Sequence, residues 1–181
     1  SLMPLRPHQI DALDAMANNP KGQVIVPTGG GKTMCMIEDA KRVFRTQEVA
    51  TIVVVAPRIL LAEQLCSEFL ETGEFNDVRV MHVHSGETEH FSSTKVSDIR
   101  YHNFLCYESN ANQIIFTTYH SLHRVQESNI AVDVVYFDEA HNSVQRNFYP
   151  SVKFYASVGA DRCFFFTATP KHSTTPFKAG M

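Results

Sequence analysis

The sequence predicts an α/β fold, in which an open, mostly parallel sheet carries helices on both faces. Apolar stretches of strand length alternate with stretches of helical periodicity. Several apolar stretches are continuous rather than alternating, and Ile52–Val55 and Val132–Phe137 are the clearest. Continuous apolar strands are typical of a parallel sheet that is buried on both faces. The 181 residues are enough for one domain of ordinary size.

Six stretches are predicted as strands and three as helices. The predicted strands are Gln23–Val26, Ala50–Val55, Val78–Val83, Gln113–Thr117, Val132–Phe137 and Cys163–Thr167. The predicted helices are 7–18, 32–46 and 59–71. The first opens on Pro7, which suits a first helical position, and the other two carry apolar residues at spacings of three and four.

The remaining segments are harder to assign to the sheet. Residues 87–112 are mostly polar, although Ser92–Thr94 is able to cap a helix running to Cys106, and we expect a peripheral insertion there. We interpret residues 1–3 as a cloning remnant and start methionine, 4–170 as the domain and 171–181 as a flexible tail.

The composition excludes several classes of protein. With 44% hydrophobic and 19% charged residues, the chain is neither disordered, collagen-like nor a coiled coil. Because no apolar run approaches the roughly 18 residues that span a bilayer, we expect a soluble, intracellular protein without membrane partners. The net charge of -3 argues against nucleic-acid binding by overall charge, so any such site is local.

The cysteines and histidines show no metal-site pattern. Cys35, Cys66, Cys106 and Cys163 are widely spaced, contain no CxxC motif and favour buried free thiols in a reducing compartment over a zinc site or disulfides. His82 and His84 alternate along a predicted strand, which more often reflects a strand face than a pair of metal ligands.

A phosphate-binding loop is the strongest motif. The strand ending at Val26 runs into a loop and then directly into a predicted helix. The residues of this loop are Pro27, Thr28, Gly29, Gly30, Gly31, Lys32 and Thr33. Glycines let backbone N–H groups turn toward a polyphosphate at a helix N-terminus, Lys32 reaches the β and γ phosphates, and the Thr33 hydroxyl suits Mg²⁺.

An acidic pair follows the apolar strand 132–137. Asp138 and Glu139 stand at the carboxyl end of that strand, where an open α/β sheet places its ligand chemistry. Asp138, nearer the strand, is predicted to hold Mg²⁺, and Glu139 to polarise the water that attacks the γ phosphate.

An ordered set of motifs resembles superfamily 2 helicases and translocases. The motifs are Arg6–Gln9, Pro27–Thr33, Val55–Arg58, Thr117–Leu122, the DEAH sequence Asp138–His141 and Thr167–Pro170. The resemblance covers residues 5–170 and is to the first RecA-like domain, in the branch that includes restriction-enzyme motors and repair helicases. It implies a DEAH-box ATP hydrolase that uses ATP and Mg²⁺.

The resemblance also implies roles for residues outside the phosphate site. Gln9 would read the adenine edge with Arg6 beside it, although such a motif is also able simply to start a helix. His141, Thr167 and Thr169 would couple the γ-phosphate state to domain closure, or would only hold one strand end against another. The implied nucleic-acid contacts are Pro57, Arg58, Ser85, Gly86, Thr117 and Thr118. Arg58 is equally interpretable as a surface residue at a helix start.

Several functions remain open. The resemblance implies a longer helicase or translocase whose second RecA-like domain supplies an arginine finger, so we expect this fragment alone to be nearly inactive. DNA is the expected track ahead of RNA. The alternatives are a double-stranded DNA translocase of restriction type, an ATP-controlled nucleic-acid clamp and a packaging ATPase, although the last would not be expected to carry Arg6–Gln9 or Thr167–Pro170.

Overall fold

The structure, a computed structural model, describes residues 4–27, 31–141, 149–169 and 176–180. The helices are α1 Pro7–Asn18, α2 Lys32–Thr46, α3 Ile59–Glu71, α4 Val96–Glu108, α5 Leu122–Glu127 and α6 Tyr149–Phe154, which continues into the π-helical turn Tyr155–Gly159. The strands are β1 Lys21–Pro27, β2 Thr51–Ala56, β3 Arg79–Val83, β4 Phe91–Ser92, β5 Gln113–Thr118, β6 Val132–Phe137, β7 Ala160–Thr169 and β8 Phe177–Ala179.

These strands form one sheet in the order β4-β3-β5-β2-β6-β7-β1-β8. Every neighbouring pair is parallel except β1 and β8. The predicted α/β fold is therefore confirmed. Because parallel strands end at the same edge, the segments that follow β1, β2, β3, β5 and β6 meet at one edge of the sheet.

The core lies on both faces of the sheet. Along β2, Ile52 and Val54 pack with the apolar sides of α1, α2 and α3. Val53 and Val55 point to the other face and pack with residues of α4, α5 and α6. All six residues of β2 are buried. This arrangement accounts for the continuous apolar strands in the sequence, because both faces exclude water.

The four cysteines are buried free thiols, one each in α2, α3, α4 and β7. Burial raises the pKa of Cys35 and of Cys163 to about 12. It raises the pKa of Cys66 and of Cys106 to about 11. These thiols contribute to the core as small apolar groups.

Residues 87–112 are not a peripheral insertion, contrary to expectation. Strand β4 pairs with β3, and α4 is the crossover helix that leads into β5. Ile99, His102 and Cys106 of α4 are buried. The polar composition of this segment hid the packing, because His102 is a polar residue that is nevertheless buried. Its ring is hydrogen-bonded to Gln113 Oε1 at 2.9 Å. A buried polar side chain with a partner is compatible with a core.

Part of the expected flexible tail is a strand. Residues 177–179 form β8, which pairs antiparallel with β1 and ends the sheet. A Cβ on Gly22 would overlap the Phe177 ring, so the two strands approach closely at that glycine. Residues 171–175 and 181 lie outside the described residues. Among those that are described, no helix has the length and apolar composition to cross a membrane.

Candidate ATP and nucleic-acid sites

The phosphate loop joins β1 to α2, as predicted. Residues 28–30 lie outside the described part of the chain, so the predicted roles of Thr28, Gly29 and Gly30 have no described geometry. Gly31 has a φ of 77° and directly precedes α2. This left-handed conformation favours glycine and turns the chain into the N-terminus of the helix.

Gln9 lies against this loop. Its side chain is 3% exposed, its Nε2 donates to the Gly31 carbonyl at 3.2 Å, and its Oε1 accepts from the Arg6 backbone N–H at 2.8 Å. A Cβ on Gly31 would overlap the Gln9 amide nitrogen. Alanine at Gly31 would therefore be disfavoured both by its φ and by Gln9. The structure places Arg6 and Gln9 beside Gly31, and their implied role at the adenine stays a prediction.

The acidic pair faces the loop lysine. Lys32 Nζ lies 3.0 Å from Asp138 Oδ1 and also donates to Glu139 Oε1. Burial lowers the pKa of Lys32, but the Asp138 and Glu139 carboxylates outweigh it, so the net shift is upward. Three residues predicted to act together thus meet in space, although about a hundred residues of chain separate them.

Asp138 has the properties of a metal ligand. It is 4% exposed, and its Oδ1 lies 3.0 Å from Lys32 Nζ. Burial raises the pKa of this carboxyl, with Lys32 acting in the opposite direction. A buried carboxylate beside a lysine that is expected to bind phosphate suits a hard cation such as Mg²⁺. Thr33, the second residue of α2, stands next to Lys32 and offers a hydroxyl of the kind that such sites use.

The backbone of Glu139 is strained. Its φ is 50°, a left-handed conformation that non-glycine residues rarely adopt. Such conformations persist where surrounding contacts impose them, and they cluster at functional sites. The Asp138 backbone is held on both sides, because its N–H donates to Val55 O and its carbonyl accepts from the Tyr119 hydroxyl, each at 2.8 Å.

The three predicted coupling residues lie at or after the carboxyl ends of β6 and β7. His141 Nδ1 lies 3.8 Å from Glu139 Oε2, and its ring is 68% exposed. On β7, Thr167 pairs in register with Ile25 and Thr169 with Pro27, so this strand end lies beside the strand that enters the phosphate loop. The side chain of Thr169 is outside the described residues.

The predicted nucleic-acid loops adjoin one another at the same edge of the sheet. Arg58 and Ser85 are exposed, whereas Pro57 and Gly86 are partly buried. A Cβ on Gly86 would lie 2.7 Å from Ile59 Cγ2, which shows that the loop after β3 packs on the start of α3.

Two of the predicted nucleic-acid residues face inward. Thr117 is fully buried and its hydroxyl donates to Val83 O at 2.7 Å. Thr118 is 3% exposed and its Oγ1 accepts from Ser121 N at 3.3 Å. Both hydroxyls are used to fix the end of β5, which argues against their predicted contact with phosphates.

Sequence reasoning missed a buried ionic network behind the phosphate loop. Arg162 of β7 makes two hydrogen bonds to the Asp39 carboxylate, at 2.7 and 2.8 Å, and donates to Met16 O at 2.9 Å. The Tyr136 hydroxyl also donates to Asp39, at 2.5 Å. The network ties α1 and α2 to two central strands. Its signal in the sequence is an aspartate among the apolar residues of α2, seven residues after Lys32.

A second missed feature is a pair of hydrogen-bonded histidines under the loop after β3. The Gly86 N–H donates to His84 Nδ1 at 3.0 Å, and His84 Nε2 lies 3.1 Å from His82 Nδ1. Burial lowers the pKa of His82 to about 4, so the ring is neutral near pH 7. The alternating histidines therefore serve a strand face and its loop, as the sequence favoured. No metal-binding cluster occurs among the residues that the structure describes.

Replacing Lys32 by Ala is expected to weaken Mg-ATP binding by about 1.5 to 3 kcal/mol, or roughly 10- to 150-fold in Kd, because a charged phosphate contact is lost. Calorimetric titration with Mg-ATP measures this. Lys41→Ala is the control, since Lys41 lies on the same helix and pairs with Glu38 at 3.2 Å. Equal ATP affinity in a folded Lys32→Ala protein would remove the basis for the phosphate-loop assignment.

The family comparison agrees with this geometry. The profile of the family described as "Type III restriction enzyme, res subunit" matches residues 2–172. No protein with a curated description matches the chain.

Similar solved structures share the fold. The Type ISP restriction-modification enzyme LlaGI, solved with a DNA substrate mimic, has a TM-score of 0.73 and 22% identity, covering 99% of this chain and 18% of its own. The UvsW helicase of bacteriophage T4 has a TM-score of 0.66 and 14% identity, covering 92% and 53%. The Hef helicase domain of Pyrococcus furiosus has a TM-score of 0.65 and 19% identity, covering 93% and 34%. The chain thus spans less than a fifth of LlaGI and about half of UvsW.

Proposed function

Because the chain belongs to the type III restriction enzyme res subunit family, we propose that it is the ATP-binding motor domain of a superfamily 2 helicase or translocase. In this function, Mg-ATP hydrolysis drives movement on DNA. The observation that carries the proposal is the contact of Lys32 with Asp138 and Glu139 at the junction of β1 and α2. A lysine at a helix N-terminus beside two carboxylates suits a nucleoside triphosphate with its metal ion.

The residues divide the work of ATP hydrolysis. Lys32 and the backbone that leads into α2 bind the phosphates, and Gln9 and Arg6 lie where they are able to orient the nucleotide from the side of the loop. Asp138 and Thr33 would hold Mg²⁺. Bound Mg²⁺ neutralises charge on the β and γ phosphates. Glu139 orients the attacking water and accepts its proton at a carboxylate oxygen.

We assign DNA contact to the exposed edge formed by the loops after β2 and β3. Arg58 supplies a cation and Ser85 a hydroxyl, while backbone N–H groups complete a surface that binds phosphates without reading sequence. The DNA ligands named for LlaGI and for LlaBIII, a second Type ISP enzyme with a TM-score of 0.69, support DNA over RNA. They also favour restriction-type translocation as the second candidate.

A second RecA-like domain of the same polypeptide is part of this proposal. It would bring an arginine to the transferring phosphoryl group, which in related enzymes accelerates hydrolysis about 10³- to 10⁵-fold. Closure of two domains on the nucleotide is also how nucleic acid would be sensed. The isolated fragment is therefore expected to bind ATP but to hydrolyse it very slowly.

The proposed function predicts that DNA stimulates ATP hydrolysis by the full-length protein containing this domain, and that Arg58→Ala weakens this stimulation. A lost exposed phosphate contact should raise the DNA concentration for half-maximal stimulation several-fold and reduce its salt dependence. Steady-state ATPase assays with DNA and with RNA, at two salt concentrations, measure this. The control is Arg45→Ala, because Arg45 is exposed in the last turn of α2.

The outcomes separate the candidate functions. ATPase activity unaffected by either nucleic acid would contradict the proposal as a whole. Stimulation by duplex DNA without strand displacement would favour the restriction-type translocase. ATP-dependent DNA binding with negligible turnover would favour the clamp.

A further inference from the structure

We propose that Tyr119 is a positioning residue through which the DNA-facing loops control the backbone of Glu139. The inference rests on the proposed function, since it concerns how DNA binding reaches the site of ATP hydrolysis. Tyr119 follows β5 directly and is 2% exposed, so it is positioned to contact neither solvent nor DNA.

Tyr119 contacts the ends of two neighbouring strands. Its hydroxyl donates to the Asp138 carbonyl at 2.8 Å, and its ring stacks on Phe137 with centroids 5.8 Å apart. Its backbone N–H donates to the Ala56 carbonyl at 3.1 Å. Ala56 immediately precedes Pro57 and Arg58. Tyr119 thus joins the end of β2, through its backbone, to the acidic pair after β6, through its side chain.

The hydrogen bond to the Asp138 carbonyl oxygen constrains the backbone conformation of Glu139. This oxygen belongs to the peptide group whose nitrogen is that of Glu139, so the orientation of that peptide plane is coupled to φ of Glu139. The observed φ of 50° is unfavourable for a glutamate. The hydrogen bond from Tyr119 opposes rotation of the peptide plane toward a relaxed backbone. It thereby fixes the direction of the Glu139 Cα–Cβ bond, from which the side chain extends.

The same contacts connect the DNA-facing loops to the acidic pair, so they are able to transmit the effect of DNA binding. Tyr119 follows Thr118, and Thr117 in turn is bonded to Val83, the residue that ends β3 next to the loop of Ser85. Movement of either loop on binding phosphate would shift the backbone of Tyr119. Because the ring is packed and the hydroxyl is bonded, that shift reaches the Asp138 carbonyl.

The test is Tyr119→Phe in the full-length protein that contains this domain. The change deletes one oxygen atom and keeps the ring. We expect kcat in saturating DNA to fall at least tenfold, while KM for ATP and Kd for DNA change less than about twofold. The matched control is Tyr136→Phe, which also deletes a buried, bonded hydroxyl, but one that donates to Asp39 and not to the backbone of the acidic pair. It should leave DNA stimulation within twofold of the parent.

A double-mutant cycle with Arg58→Ala makes the test specific to coupling. If Tyr119 carries the signal from the loop after β2, the two changes together should reduce the DNA-stimulated ATPase rate less than the product of their separate effects, measured at one subsaturating DNA concentration at which Arg58→Ala alone lowers that rate. A merely structural role predicts multiplicative effects and an equal loss in Tyr136→Phe.

A parent protein whose ATPase ignores DNA overturns both the proposed function and the role of Tyr119. A parent that responds to DNA, together with a Tyr119→Phe variant that responds equally, overturns the role of Tyr119 and leaves the function in place. Multiplicative effects in the cycle likewise overturn the coupling role.

Discussion

Replacing Glu139 by Gln in the full-length protein is expected to lower kcat for ATP hydrolysis by about 10²- to 10⁴-fold, the usual contribution of a positioned general base. The amide keeps the size of the side chain but cannot accept the proton of the attacking water. ATP affinity should remain within a few-fold of the parent, because Lys32 still reaches the phosphates. Steady-state ATPase assays and calorimetric ATP titration separate the two effects.

Two other carboxyl variants make this result specific. Asp138→Asn should raise the Mg²⁺ concentration needed for activity, since this change removes the charge from the proposed metal ligand. Glu38→Gln should leave kcat unchanged, because Glu38 is partly exposed and forms its described salt bridge with Lys41, at 3.2 Å, and not with the residues of the acidic pair. Parental turnover in Glu139→Gln would mean that another group activates the water.

Replacing Asp39 by Ala is expected to lower the free energy of unfolding by about 3 to 5 kcal/mol, the range found when one partner of a buried ion pair is removed. Asp39 is 1% exposed and accepts two hydrogen bonds from Arg162 and one from Tyr136. Its removal leaves a largely desolvated guanidinium without a counter-charge. Because the Arg162 side chain retains 22% exposure, we expect the lower end of that range. Urea unfolding at pH 7 measures the loss.

The control for Asp39 is an acid in an exposed ion pair. Glu127 lies 3.7 Å from Arg124 with both side chains about half exposed, so Glu127→Ala should cost less than about 1 kcal/mol. The double variant Asp39→Leu with Arg162→Met should recover part of the stability, since it leaves no unpaired charge. A loss below 1 kcal/mol in Asp39→Ala would show that the network contributes little to folding.

The regular elements near the site were predictable because their patterns are local. Helices α2 and α3 coincide with the predicted ranges 32–46 and 59–71, and β6 with 132–137. Strand β5 is one residue longer than predicted, ending at Thr118. A continuous apolar run or a helical period reports burial directly, whatever the partner. The loop at Lys32 and the pair at Asp138 could likewise be located, because each motif stands at a strand end.

The connections between these elements were not predictable from the same patterns. Strand β8 is three residues long and β4 only two, too short for an alternating pattern. The pairing of Asp39 with Arg162 joins residues 123 positions apart, and no local signal specifies it. The inward orientation of Thr117 and Thr118 depends on which strands flank β5. Nor does the residue type of Glu139 indicate a left-handed backbone, which requires contacts from elsewhere in the fold.

Because the four cysteines are buried, the rate at which thiol reagents modify them reports local opening of the native protein. With pKa values raised to about 11 or 12, a thiol at pH 8 is ionised to about one part in 10³ or less, so thiol reagents react with the closed state very slowly. Reaction then requires exposure of the element that carries the thiol. Cys35 reports on the helix of the phosphate loop and Cys106 on the helix at the far edge of the sheet. Labelling rates at these two positions, with and without nucleotide, distinguish opening at the ATP site from unfolding of the whole domain.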